Sequence, residues 1–123
     1  DDVRAIVDMC RKALRIAKKH TRRKININVG ISPFVPKAHT PFQWFAQEPA
    51  ESLLEKKMYI LKNLSQRAFT VKSHDERMSL LEAAICRGDS KTGELIEAAW
   101  KEGSRLDAWS EFFDFDIWKR AMD

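Results

Sequence analysis

Between residues 25 and 32 the chain alternates without exception. Ile25, Ile27, Val29 and Ile31 are apolar, while Asn26, Asn28, Gly30 and Ser32 are polar or small. A period of two marks an extended strand, because successive side chains leave opposite faces of the pleat. One face of this strand must be buried, and the other must meet something polar. In an open sheet that is water; in a closed parallel barrel it is a lumen able to hold a ligand. The strand cannot run on, because Pro33, Pro36 and Pro41 follow it and break regular structure.

The flanking segments carry the other period. Val3, Ile6, Val7, Cys10, Leu14 and Ala17 recur at helical spacing and predict an amphipathic helix over 2–20. Leu53, Leu54, Met58, Leu61 and Leu64 predict a second helix over 50–67, followed by the short strand Phe69-Thr70-Val71-Lys72. Helix–strand–helix–strand order, with a connection long enough for a crossover, argues for parallel strands of a βα unit. Two strands make a poor sheet by themselves, so neighbouring strands are expected from outside this segment.

After residue 73 the pattern becomes all-helical. Ser73, with Glu76 three residues later, fits a capping box opening a helix that turns Met78, Leu81, Ala84 and Ile85 inward and stops at Gly88. Asp89 or Ser90 caps the next helix, which carries Leu95, Ile96, Ala99 and Trp100 and ends near Gly103. The tail concentrates Trp109, Phe112, Phe113, Phe115, Ile117 and Trp118. It reads as short helices whose aromatic stripe docks on the rest of the domain, with an exposed partner patch as the alternative. The fold class is therefore helix-rich α/β, mixed over 1–73 and all-helical over 74–123.

A chain of 123 residues can hold one domain with a real core, and 44% hydrophobic with 33% charged residues excludes a disordered tail. No apolar run approaches the roughly 18 residues of a membrane span, and no signal-peptide pattern opens the chain. A cytoplasmic protein without membrane contact is expected. The chain opens on Asp1 and stops at Asp123, directly after a helical pattern, which reads as a piece excised from a longer protein. Cys10 and Cys86 lie far apart with no partner at metal-ligand spacing, so buried, reduced thiols are expected and no metal site.

Eight cations crowd the stretch from Arg11 to Lys24. The simpler reading is the solvated face and carbonyl end of a helix; binding to phosphate backbones is the second, and no motif that reads bases accompanies the run. His39 is the only histidine in the Pro-rich loop. A lone loop histidine is more often hydrogen-bonded than catalytic. The acid pairs Asp75/Glu76 and Asp114/Asp116 sit where helix N-termini attract carboxylates. No phosphate loop, hydrolase triad or zinc motif occurs, and no residue is assigned as catalytic.

Two stretches carry more. The segment Val29-Gly30-Ile31-Ser32-Pro33-Phe34-Val35-Pro36-Lys37-Ala38-His39-Thr40-Pro41-Phe42-Gln43-Trp44 resembles "SPFVPKPHTPFQW" of a family of radical S-adenosylmethionine (radical SAM) proteins often linked to a cobalamin-binding-type domain. Leu81-Glu82-Ala83, Arg87-Gly88-Asp89, Ala99-Trp100, Gly103 and Leu106-Asp107-Ala108-Trp109 resemble that family's region just downstream. The resemblance implies that 1–73 is the C-terminal portion of a partial (β/α) barrel and 74–123 its helical extension. It places Val29, Ser32, Phe34 and Val35 nearest the adenosine of S-adenosylmethionine, some through backbone only, and Lys37, His39 and Gln43 on the substrate side.

The family's [4Fe–4S] cluster is held by a CxxxCxxC loop, which Cys10 and Cys86 cannot supply. The resemblance therefore implies no cofactor in this segment. The parent is expected to use the cluster and S-adenosylmethionine, with cobalamin as a further candidate. Its first partner would be the missing N-terminal part of the barrel, and bare strand edges would favour a homodimer. The competing expectation is a stand-alone module that binds RNA through the basic run 11–24, or protein through the aromatic tail.

Overall fold

The computed structural model describes residues 2–122. They form α1 (Asp2–His20), β1 (Ile27–Ile31), α2 (Ala50–Asn63), β2 (Phe69–Ser73), α3 (Glu76–Arg87), α4 (Thr92–Lys101) and α5 (Phe115–Met122). The fold is helix-rich mixed α/β with one small sheet. The chain divides into two compact units. One runs to Pro33 and resumes over Glu48–His74; the other comprises Phe34–Gln47 and everything from Asp75 onward.

In the first unit β1 and β2 pair in parallel, Ile27 opposite Phe69 through Ile31 opposite Ser73. The ladder is extended at both ends, by Ile27 N–H donating to Ala68 O at 2.8 Å and His74 N–H donating to Ile31 O at 3.4 Å. Parallel neighbours need a long return connection, and α2 lies within it. Both α1 and α2 pack on one sheet face, where Val7, Cys10 and Leu14 meet Val29, Ile60, Leu64 and Phe69. The alternation at 25–31 thus does what its period implies: the isoleucines and Val29 turn to the helices, and Asn26, Asn28 and Gly30 are exposed.

Helix α2 differs from expectation. Its buried positions are Ile60 and, just past its end, Leu64, whereas Leu54 is 44% and Met58 57% exposed. It also ends at Asn63, where Leu64 N–H donates to Ile60 O at 2.9 Å. The apolar pattern of α2 is wider than the two-stranded sheet can cover, so one flank of it stays outside.

In the second unit α3 begins three residues after Ser73, which is the last residue of β2. The N-cap is Asp75, whose carboxylate accepts Arg77 N–H at 2.7 Å, so the box expected at Ser73 does not form. Strand pairing with Ile31 holds Ser73 in the ladder and away from the helix. Gly88 ends α3 in an extended conformation. Lys91 takes the N-cap position of α4 without a side-chain bond, while Asp89 Oδ1 accepts Lys91 N–H at 2.8 Å. At the other end of α4, Gly103 has φ +103°, its N–H reaches Trp100 O at 3.1 Å, and Ser104 N–H reaches Ala99 O at 3.0 Å. This paired closure needs a left-handed residue, which explains the glycine.

The second core joins Leu81, Ala99 and Trp118 with flanking Ile85, Leu95, Phe113, Phe115 and Ile117. Three expectations are corrected here. Ala83, not Ala84, is the buried alanine of α3. Ile96, Trp100, Trp109 and Phe112 are 45–60% exposed, so only the C-terminal half of the aromatic stripe docks. Helix α5 and Phe113 supply that half, and the turns and bend at 107–112 leave Trp109 and Phe112 outside. Cys10 is buried, but Cys86 is exposed on α3. No helix among the described residues is long and apolar enough to cross a membrane.

Leu64, only 2% exposed, sets the first test. Leu64→Ala should lower urea unfolding stability by about 2–5 kcal/mol, while Leu54→Ala should stay within about 0.5 kcal/mol. The thiols give a second: a native-state thiol reagent should label Cys86 rapidly and Cys10 only on unfolding, with one fast equivalent per chain.

Candidate functional site

The bare sheet face is built by chain direction alone. Because Ile27, Val29 and Ile31 face the helices, Asn28 and Gly30 point the other way, in register with Thr70 and Lys72. Thr70 Oγ1 donates to Asn26 Oδ1 at 3.1 Å, and Asn26 Nδ2 donates to Asn28 Oδ1 at 3.3 Å. This short cross-strand network fixes the amides at the start of β1. Nearer the strand's carboxyl end the surface is open. A Cβ placed on Gly30 would meet nothing within 4 Å, and no positive φ requires glycine there. Interior strand glycines are weakening and usually mark a close approach by a ligand or another backbone.

The expected site residues divide between the two units. Val29 and Ser32 belong to the first: Val29 is buried in the sheet–helix core, and Ser32 is exposed just past β1. Phe34, Val35, Lys37, His39 and Gln43 belong to the second, in the Pro-rich loop. Val29 can therefore offer an outside ligand only its backbone.

The loop is held by named interactions. Phe34 and Phe45 each meet Phe42 edge-on, with centroids 5.5 Å apart. Pro36 is fully buried. His39 takes a left-handed φ of 61°, and its N–H donates to Gln43 Oε1 at 3.2 Å, while Thr40 Oγ1 donates to Lys37 O at 2.7 Å. His39 and Gln43 are thus brought together, by backbone and amide, with the imidazole exposed. Two bonds tie the loop to α3: Lys37 Nζ lies 2.5 Å from Glu82 Oε1, and the Arg87 guanidinium donates to Phe45 O at 3.1 Å. Glu82 raises the Lys37 pKa above the ordinary lysine value, first through the hydrogen bond it accepts and then through its charge.

Sequence reasoning missed one further feature of the second unit. A concavity of about 270 Å³ is lined by Met78, Leu81, Ile85, Phe113 and Trp118, with Cys86 and Glu82 also contributing. The indole N–H of Trp118 is buried and has no acceptor among the described residues. Nothing in the local sequence pattern signals that pocket, since it depends on how α3, α5 and the segment before α5 meet.

The residues do not fit an iron–sulfur cluster. Cys10 is committed to the first core, Cys86 stands on α3, and no group of three or more metal-binding side chains occurs among the described residues. No family model, curated protein or solved structure matches the chain.

The Lys37–Glu82 pair yields a signed expectation. A raised folded-state pKa stabilises the fold at pH below the ordinary lysine value, and that contribution disappears as pH rises through the raised one. Glu82→Gln should return the Lys37 Nζ titration to the ordinary range. NMR detection of the lysine side chain against pH checks it; an unchanged titration would show that Glu82 is not the cause.

Proposed function

We propose that this chain is the closing β/α portion of a radical S-adenosylmethionine core together with its helical extension. The parent would reductively cleave S-adenosylmethionine at a [4Fe–4S] cluster held by another segment. The observation that carries the reading is, within the first unit, a parallel strand pair with helices on one face only and a bare polar face on the other, with Gly30 uncrowded by its own unit. Parallel sheets are ordinarily covered on both faces. The exposed flank of α2, Leu54 and Met58, supports a neighbour in the complete barrel, as do the free outer edges of β1 and β2.

On this reading the carboxyl end of β1 lies beside the adenosine, the usual place for a site in this architecture. Val29 contributes backbone, Gly30 gives room and Ser32 follows the strand, while Phe34 and Val35 of the second unit's loop are assigned to the adenosine by the resemblance alone. Lys37, His39 and Gln43 present donors and acceptors to the substrate, with Glu82 and Arg87 positioning the loop. The reduced cluster of the parent supplies the electron that splits the sulfonium to a 5′-deoxyadenosyl radical. This chain holds no cluster and is inactive alone.

One observation favours a second reading, an interaction module: Trp100, Trp109 and Phe112 are all more than half exposed on the second unit. An aromatic surface of that kind suits a protein partner.

One assay separates them. The longer chain, reconstituted anaerobically with iron and sulfide, should form 5′-deoxyadenosine from S-adenosylmethionine under reduction; the 123-residue chain should form none. Gly30→Ala should leave the isolated chain as stable, or more stable by about 0.5–1 kcal/mol, yet cut 5′-deoxyadenosine formation by the longer chain at least tenfold. No product and no cluster absorbance from the longer chain would overturn the enzyme reading and leave the module.

A further inference from the structure

Between Asp8 and Glu48 the chain contains no acidic residue, and eight cations fall from Arg11 to Lys24. An ordinary solvated helix face interleaves both signs or pairs its cations with acids three or four residues away. Here none of those eight side chains makes an ion pair among the described residues. The ion pairs of the protein lie elsewhere, so the charge of this segment is left whole.

The fold shapes that charge. Arg11, Arg15 and Lys18 stand at i, i+4 and i+7 on α1 and therefore share one side of it, a turn of about 5.4 Å apart at each step. With Lys12 and, from the α2–β2 connection, Gln66, they line a groove of about 600 Å³ in the first unit. Asp8 is the single acid at its edge. Arg11 is held in place by donating to Asn63 O at 2.9 Å and to its Oδ1 at 3.3 Å, which leaves its charge unneutralised.

We infer that this groove is a binding surface for the phosphodiester backbone of a double-stranded nucleic acid. One cation per helical turn along a concave wall matches a regularly charged rod. A flat anionic membrane would instead meet a convex face with an apolar stripe beneath it. No aromatic lines the groove, so it lacks the stacking platforms that grip single strands. Met9 and Leu14 form its apolar floor, and the polar contacts available are charge and hydrogen bonding from its rim, which position a duplex without reading its sequence. The inference does not depend on the radical reading and survives its failure.

The test uses the 123-residue chain with labelled 20-base-pair duplexes of RNA and of DNA, the same strands single, and vesicles containing phosphatidylserine. Anisotropy should show duplex binding at about 1–100 μM in 150 mM salt, with log K falling against log salt at a slope near −3 to −4 for about four phosphate contacts. RNA and DNA arms distinguish the duplex sources. The double substitution Arg15→Gln, Lys18→Gln should weaken duplex binding at least tenfold and reduce the slope by about 2. Both side chains are exposed, and circular dichroism should be unchanged. Lys101→Gln, on α4, should change neither quantity. The inference is overturned by no duplex binding at 50 mM salt, by single strands binding more tightly than duplex, by vesicles binding where duplexes do not, or by a double variant that binds like the parent sequence.

Discussion

Everything in the first unit follows from β1 and β2 running parallel. An antiparallel pair could have closed with a tight turn. A parallel pair obliges the chain to travel back along the sheet, and α2 makes that return. Once α2 lies on one face with α1 beside it, that face becomes the core: Val7, Cys10 and Leu14 against Val29, Ile60, Leu64 and Phe69. The opposite face then has nothing from this unit to cover it. Its amides and hydroxyl bond one another, Thr70 to Asn26 and Asn26 to Asn28, and Lys72 and Gly30 complete it. Such a pair is covered by its own unit on one face only, whereas parallel sheets are ordinarily covered on both.

The second unit is organised by termini more than by a large core. Asp75 opens α3, Asp114 accepts the Asp116 N–H at 2.9 Å at the start of α5, and Gly103 closes α4. Each satisfies backbone groups that a helix end leaves orphaned. The Pro-rich loop joins this unit because its own prolines and aromatics stiffen it and α3 supplies its anchors. Lys37 meets Glu82, and Arg87 reaches the carbonyl of Phe45. The direction in which His39 and Gln43 present themselves is therefore set by α3, a helix more than thirty residues further along the chain.

What the sequence discloses follows from how local each cause is. The strand at 27–31 and helix α1 were legible because each has a sharp period and one buried face. The acids before α3 and α5 were legible as helix-end residues because an N-cap needs only its next two or three neighbours. Ser73 misled because a capping pattern cannot show that strand pairing has already claimed it. Leu54 and Met58 misled for a different reason. Periodicity reports which residues could be buried, and only the width of the sheet decides which are. Cys86 follows the same rule: α3 has more apolar positions than its unit has core to hide them. At the site, the loop's rigidity was legible in Pro33, Pro36 and Pro41, while its anchoring by Glu82 and Arg87 was not, being a long-range pairing.

The two surfaces of the first unit are chemically opposed, and the core keeps them apart. The sheet's bare face is neutral save for Lys72, suited to groups that exchange hydrogen bonds with amides and hydroxyls. The flank of α1 beside the α2–β2 connection carries unpaired cations, suited to a polyanion. Between them lies the layer of apolar side chains that α1 and α2 press onto the strands. One route of influence between them is the packing of α1 on Val29 and Phe69. That packing is dense: Val7 is only 1% exposed and Leu14 5%. An interface so close-packed transmits strain, and its low dielectric also carries the field of a bound charge. Binding on α1 would therefore be felt at the sheet face both as a shift in strand position and as a change in local potential.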